Sequence, residues 1–317
     1  MSGSRVAVAA GGTSIEREVS LRGARRVVAA LRASDAEVVE LEIDHTILDR
    51  VREIAPEYVF IVAHGRNGED GALQELLELL DVPFTGSGSL ASALCIDKVM
   101  TKRLLMRAGL STPRFQAFSR RTFQDLGAAV VFDEVMDRLG APVVVKPARL
   151  GSSFGIKFVS AREQLRTAVL GAVAYDDEIL VERHVAGREL AVTVLDGPDG
   201  GPRALPIVEI LSDREFYDYE SHYDFDLVSL DAPAKLDPEV AAEAERVSVE
   251  AFRTLGCRDF ARVDIVLDAD DRPQILELNT IPGLTETGPT PFAAEAAGMS
   301  FAELVDAIAR RAAGVRR

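Results

Sequence analysis

CRDFARVDIVLDADDRPQILELNTIPGLTET, running from Cys257 to Thr287, places charged side chains where a strand pair normally buries apolar ones. It reads as two short strands joined by a tight acidic turn. In a strand, side chains two apart share a face. Arg262 and Asp264 therefore point one way, as do Glu277 and Asn279, while Val263, Ile265, Leu276 and Leu278 point to the other side. With the turn centred on Asp270 and Asp271, Asp264 falls opposite Glu277 and Arg262 opposite Asn279. Facing carboxylates repel across a sheet unless a cation sits between them. Two carboxylates and an amide oxygen are hard ligands that suit Mg²⁺, which commonly binds one or two carboxylates together with substrate phosphates. An exposed acidic hairpin is the bland alternative, but it leaves the facing charges uncompensated. The stretch predicts a metal and nucleotide site.

The rest of the chain bounds that reading. A length of 317 residues fits about two domains of ~150 residues or three smaller ones. Hydrophobic content of 47% is enough for packed cores, and a formal charge of −15 with no basic patch argues against nucleic acid as a partner. Arg310, Arg311, Arg316 and Arg317 read as a solvated helix end. Cys95 and Cys257 sit in apolar surroundings and read as buried thiols, not as a disulfide or a metal pair. No basic-then-apolar leader opens the sequence and no apolar run reaches the length of a membrane span, so the expectation is a cytoplasmic enzyme with no membrane partner.

Upstream of the hairpin, RVAVAA at 5–10 ends in Gly11-Gly12, a strand followed by a glycine turn. A helix over about 20–32, strands near 37–43 and 58–63, and a helix over 72–80 continue an alternation that predicts a parallel α/β layer. Helical spacing recurs over 97–109 and 122–139. Short strands then dominate at 143–147, 155–159, 178–183, 188–196 and 203–210, with a helix near 161–172. The region 213–235 carries Tyr217, Tyr219 and Tyr223 with little periodicity, which inside a compact enzyme suggests a lid. Helices over 238–255 and 290–312 bracket the hairpin.

Several other segments carry chemistry. PVVVKPARLGSSFGI, 142–156, is a strand ending in Lys146 and a small-residue loop whose N–H groups around Gly151, Ser152 and Ser153 can wrap anionic oxygens. Taken singly it is as well explained by a plain turn, and it is not the Walker pattern. EILVERHVAGREL, 178–190, sets Glu182 and Glu189 around a turn at Gly187, where acids could hold a ribose hydroxyl and an adenine edge or could simply be solvated. Glu16 in GGTSIEREVS and His64 in HGRNGEDGALQ both follow strands, at the strand ends where active groups of α/β sheets collect. A carboxylate complementing a helix start, or a structural histidine, would account for either one alone.

Taken in order, GGTSIEREVS, HGRNGEDGALQ, IDKVMTK, PVVVKPARLGSSFG, ERHVAGRE, YDYESHY, RVDIVLD and LELNTIPG resemble the D-alanine–D-alanine ligase family of the ATP-grasp superfamily along nearly the whole chain. The resemblance implies an α/β ATP-grasp fold. An N-terminal parallel α/β substrate domain (1–92) would be followed by two α+β subdomains (93–182, and 183–317 with the lid and hairpin) that enclose ATP. It implies Lys98 and Lys146 on phosphates, and Glu182 and Glu189 on the nucleoside. Asp264, Glu277 and Asn279 would hold two Mg²⁺ ions, or Mn²⁺ in their place. Glu16 would hold the ammonium of the first D-alanine in a set with Ser152 and Tyr223, with His64 near that substrate. Arg262 and the Gly283 N–H would face the developing oxyanion, and Thr287 and Gly288 would border the acceptor. A homodimer acting on D-alanine and ATP for peptidoglycan precursor synthesis is implied, through a D-alanyl phosphate.

Two positions depart from the family pattern. His222 stands where members usually carry a lysine in YDYESHY, and Gly288-Pro289 stands where they usually carry a serine followed by leucine or methionine. The second departure motivates an alternative in which another amino acid or amine is the acceptor. An ester-forming ligase fits less well because Tyr223 is present. A nucleotide-binding protein without catalysis is the alternative of another class, yet no metal ligand is lost and Arg262 is intact. A dinucleotide oxidoreductase lacks GxGxxG.

Overall fold

The computed structural model describes residues 4–121, 129–151, 154–197, 201–212 and 228–314. The expected site residues Ser152 and Tyr223, together with His222 and most of the expected lid, lie outside the described residues. The first layer is a parallel sheet of β1 (Arg5–Ala10), flanked by β2 (Glu37–Glu42) and β3 (Tyr58–Val62). β1 and β3 are continuous apolar runs because both faces are covered. Val6, Val8, Tyr58 and Phe60 meet Val27 and Leu31 of α1 (Arg17–Ala33) on one side. On the other, Ala7, Ala9, Val59 and Ile61 meet α2 (Ile47–Ile54) and α3 (Ala72–Leu79). The start of α1 is pinned over the strand ends: Ser20 accepts a hydrogen bond from the Gly11 N–H at 2.8 Å and donates to the Val62 carbonyl. Two further helices, α4 (Ser89–Ile96) and α5 (Lys98–Arg107), meet at Asp97, whose carboxylate accepts from the Met100 N–H and caps α5.

The second sheet is antiparallel, in the order β4 (Phe115–Ser119), β7 (Glu178–Arg183), β5 (Val143–Pro147) and β6 (Lys157–Val159). Val143, Val145, Ile179 and Val181 face α6 (Ala129–Leu139) and α7 (Arg162–Val173). The alternation of a pleated strand therefore turns Lys146 and Glu182 to the opposite face.

The third sheet runs β11 (Val228–Asp231), β10 (Val208–Ser212), β8 (Arg188–Asp196), β12 (Phe260–Leu267) and β13 (Pro273–Asn279), with β9 (Pro202–Ala204) paired to β8. Leu190, Val192, Val263 and Ile265 bury one face against α8 (Pro238–Thr254). The other face carries Glu189, Arg262 and Asp264 toward the second sheet. The chain ends in α9 (Pro289–Ala296) and α10 (Phe301–Gly314), and Leu304, Val305 and Ile308 of α10 join the core of α1.

Five expectations change. The strand expected over 203–210 is two strands, because Pro206 lies between β9 and β10 and cannot donate to a ladder. The helix expected over 290–312 breaks at Gly298, whose φ of 73° leaves the helical region. The irregular stretch expected to reach 235 ends earlier, since Val228–Asp231 pairs with β10. Leu276 does not share the buried face of Leu278: the register slips by one residue between Asp264 and Ile265, and this bulge turns Leu276 into the cavity beside Glu277. Cys95 and Cys257 are free thiols, as expected, but Cys257 is only half-buried and the two sulfurs lie 3.6 Å apart. No helix among the described residues is long and apolar enough to cross a membrane.

Candidate active site

The second and third sheets turn their charged faces toward one another, and the first layer closes the end of the gap. The resulting cavity, about 470 Å³, is lined by Lys146 and Glu182 from one sheet and by Glu189, Arg262, Asp264, Glu277 and Asn279 from the other. Glu16, His64 and Glu69 come from the loops after β1 and β3, Gly283, Thr287 and Gly288 from the segment before α9, and Pro289 from its first turn. A cavity of this size is in the range of small-molecule sites.

The hairpin has the register its sequence predicts, with Asp264 opposite Glu277 and Arg262 opposite Asn279. Arg262 donates to both Asp264 oxygens, at 2.7 and 2.8 Å, and the Asn279 amide donates to Asp264 at 2.9 Å. Glu277 is held by Lys98 at 2.9 Å, and Lys98 also donates to the Leu150 carbonyl at 2.8 Å. Glu182 lies between two lysines, Lys146 on one oxygen and Lys102 at 2.8 Å on the other. Sequence alone does not mark Lys102 as part of the site. The available signal was its place in IDKVMTK, four residues after Lys98 and so on the same face of a helix.

These pairings set the ionisation. Burial pushes Glu277 up, but Lys98 and Lys146 outweigh it and bring its carboxyl down to about 2. Burial raises Asp264 by more than Arg262 lowers it. Burial, with Asp264 nearby, pushes Glu189 up to about 7. Burial also pulls Lys102 down to about 8 against the attraction of Glu182, whereas Lys146, under the same penalty, is carried upward by Glu182 and Glu277.

At the closed end, Glu16 stands at the N-terminus of α1, next to Gly151: a side chain at 151 would place its Cβ 3.1 Å from a Glu16 oxygen. The glycine thus lets the loop after β5 reach the carboxylate. His64 Nδ1 lies 3.6 Å from Glu69, while its buried Nε2 has no hydrogen-bond partner among the described residues. Burial lowers the imidazole, but Glu69 and then Glu16 raise it further. The site therefore brings together every described residue expected from the sequence.

The donor set fits a hard divalent cation. Among the described residues no group of three or more His, Cys, Asp or Glu side chains gathers for a metal. The protein offers two facing carboxylates and one amide, leaving the remaining positions to phosphate oxygens, which is the usual division for Mg²⁺.

The models of the D-ala D-ala ligase N-terminus and C-terminus match residues 48–87 and 104–310. The chain belongs to the D-alanine–D-alanine ligase family. It is 45% identical over 309 residues to the D-alanine–D-alanine ligase of Desulforudis audaxviator, covering 97% of this chain and 98% of that protein. Among solved structures, the Bacillus anthracis D-alanine–D-alanine ligase complexed with ATP matches with a TM-score of 0.83 at 28% identity, covering 98% of this chain and 97% of that one. The VanG D-Ala:D-Ser ligase of Enterococcus faecalis matches with a TM-score of 0.83 at 28% identity, covering 98% and 99%. The architecture is thus an ATP-grasp fold, an N-terminal α/β domain followed by α+β subdomains.

Proposed function

We propose that the chain joins two D-alanines at the expense of ATP, supplying the dipeptide for peptidoglycan precursors in the cytoplasm. The observation that carries this reading is the opposition of the Lys146–Glu182 face to the Arg262, Asp264, Glu277 and Asn279 face around one cavity, with Glu16 and His64 at its closed end. In the three-part division 1–92, 93–182 and 183–317, ATP lies between the last two parts.

Lys98 and Lys146 hold phosphate oxygens as point charges. Glu189 receives the ribose, and Glu182, with a lysine on each oxygen, stands at the nucleoside end. Asp264, Glu277 and Asn279 would hold two Mg²⁺ ions, or Mn²⁺, which would supply positive charge opposite the transferring phosphoryl group. Glu16, with Ser152 and Tyr223, orients the ammonium of the first D-alanine, and the buried Nε2 of His64, which has no hydrogen-bond partner among the described residues, lies beside that substrate. The substrate carboxylate attacks the γ-phosphoryl and expels ADP to give the acyl phosphate; the second amine attacks its acyl carbon, gives up a proton, and inorganic phosphate leaves as the amide forms. Arg262 and the Gly283 N–H stabilise the oxyanion that forms. A homodimer is part of the proposal. Leu79 on α3 is 78% exposed and Leu90 on α4 is 72% exposed, flanking the Glu78–Ser89 contact between the two helices.

The acceptor carries a second reading, in which a different amino acid or amine replaces the second D-alanine. A Cβ at Gly288 would lie 2.6 Å from the Gly283 carbonyl oxygen, so this backbone turn leaves no room for the family serine, and Pro289 has no N–H to offer. The test is incubation with ATP, Mg²⁺ and D-alanine, alone and against a panel of D- and L-amino acids, reading ADP and product mass. D-alanyl-D-alanine from D-alanine alone supports the first reading, and a mixed product only with another acceptor supports the second. No ADP with any pair refutes both.

A further inference from the structure

We propose that Lys102 is a positioning residue of the nucleotide site, holding Glu182 so that Lys146 is presented to the nucleotide. The inference rests on the function proposed above and concerns a residue that it leaves unused. Lys102 is fully buried, which for a lysine demands paired and hydrogen-bonded surroundings. Its Nζ lies 2.8 Å from Glu182 on β7 and donates to the Thr112 hydroxyl at 2.6 Å. Thr112 in turn donates to the Ile275 carbonyl at 2.7 Å, on β13 two residues before Glu277. One ammonium therefore ties α5 directly to the sheet bearing Lys146 and, through one hydroxyl, to the sheet bearing the hairpin. Lys98, one turn earlier on α5, makes the parallel tie to Glu277.

A structural lysine could in principle sit anywhere in the core, but this one shares its carboxylate with Lys146. While Lys102 is charged, Glu182 has a cation on each oxygen, and Lys146 binds only one side of it. When Lys102 loses its proton, Glu182 keeps Lys146 as its one cationic partner and draws that ammonium away from the phosphate. The charged groups facing Lys102 are Glu182 on β7, Lys146 on β5 and Glu277 on β13. Burial, opposed by those acids, brings Lys102 to about 8, so the clamp opens as pH rises past that value while Lys146 stays charged.

ATP binding with Mg²⁺ and without D-alanine, measured by calorimetry between pH 7 and 9.5, separates this from the amine chemistry of the substrates. The wild-type enzyme should lose affinity tenfold or more above pH 8. Lys102→Met should bind weakly at pH 7 and lack that alkaline fall, and in turnover its KM for ATP should rise by more than kcat falls. Thr112→Val, which keeps the lysine but removes an acceptor of its charge, should move the fall to lower pH, and it serves as the test if Lys102→Met does not fold. An alkaline fall that is unchanged in either variant overturns the positioning role. If the wild-type enzyme binds no ATP at all, it is the functional reading that fails; ATP binding without ligation leaves the role of Lys102 standing.

Discussion

Replacing Glu189 with glutamine should stabilise the ligand-free protein at pH 8 and do much less at pH 5. Glu189 sits on the central strand β8, between Ile210 and Val266 in the ladder, with its carboxyl turned into the cavity. No salt bridge reaches it among the described residues, and burial together with Asp264 pushes it up from 4.5 to about 7. The folded state therefore holds a proton that the unfolded chain has already released. Between pH 4.5 and 7 the native state binds more protons, so stability falls as pH rises and the penalty saturates above 7. A displacement of about 2.5 pH units is worth roughly 3 kcal/mol at pH 8, and about 1 kcal/mol at pH 5. Glutamine matches the neutral carboxyl in shape and carries no such penalty. Urea denaturation of both proteins without nucleotide or metal, at pH 5 and pH 8, reads the difference directly. The expected gain at pH 8 exceeds that at pH 5 by about 2 kcal/mol. An equal effect at the two pH values, or a loss at pH 8, refutes the claim that burial is what raises this carboxyl. The same variant should bind ATP roughly ten- to a hundredfold more weakly, since a neutral amide replaces a charge-assisted acceptor worth ~1.5–3 kcal/mol.

Other outcomes are as specific. Mg²⁺ and ATP together, each at ~100 times its dissociation constant, should stabilise the protein by more than the separate thermal shifts combined, where one such ligand gives ~2.7 kcal/mol; strictly additive shifts would separate the metal from the nucleotide. Arg262→Lys should lower kcat by ~10²–10³-fold while ATP affinity changes only a few fold, because a lysine cannot reproduce the planar fork; near-normal turnover would remove Arg262 from the oxyanion. Gly288→Ala should lose stability by ~1–3 kcal/mol and raise the KM for the acceptor, since its Cβ must displace a backbone carbonyl now 2.6 Å away; an unchanged acceptor KM would place that substrate elsewhere.

The hairpin was legible because two local rules fix it: period-two alternation and a short acidic turn dictate which side chains face one another. What those rules cannot show is the one-residue bulge, since an extra residue in β13 leaves the composition of the strand unchanged and is visible only as Leu276 turned to the cavity. The parallel layer was legible for a similar reason, as unbroken apolar strands alternate with helices. β11 was not, because Val228–Asp231 is too short to display a period and is a strand only by virtue of its partner β10. Lys102 was hidden for another reason. Its partners Glu182 and Thr112 are remote or unremarkable in sequence, and a lysine on a helix normally faces solvent.

The ligand-free site is already neutralised from within, and this bears on how it can bind a polyanion. Arg262 is spent on Asp264, Lys98 on Glu277, and Lys102 and Lys146 on Glu182. Bringing in a nucleotide triphosphate alone would leave its charge unmatched, because Arg262 or Lys98, on turning to a phosphate, would abandon a buried carboxylate. Divalent cations resolve the conflict if they take over Asp264 and Glu277, for Arg262 and Lys98 are then released toward the substrates without leaving an acid unpaired. Glu182 has no such replacement within reach of the hairpin, so its second cation must come from the protein itself. That requirement explains why a lysine is buried at position 102, and why metal and nucleotide should bind as a unit and not in sequence.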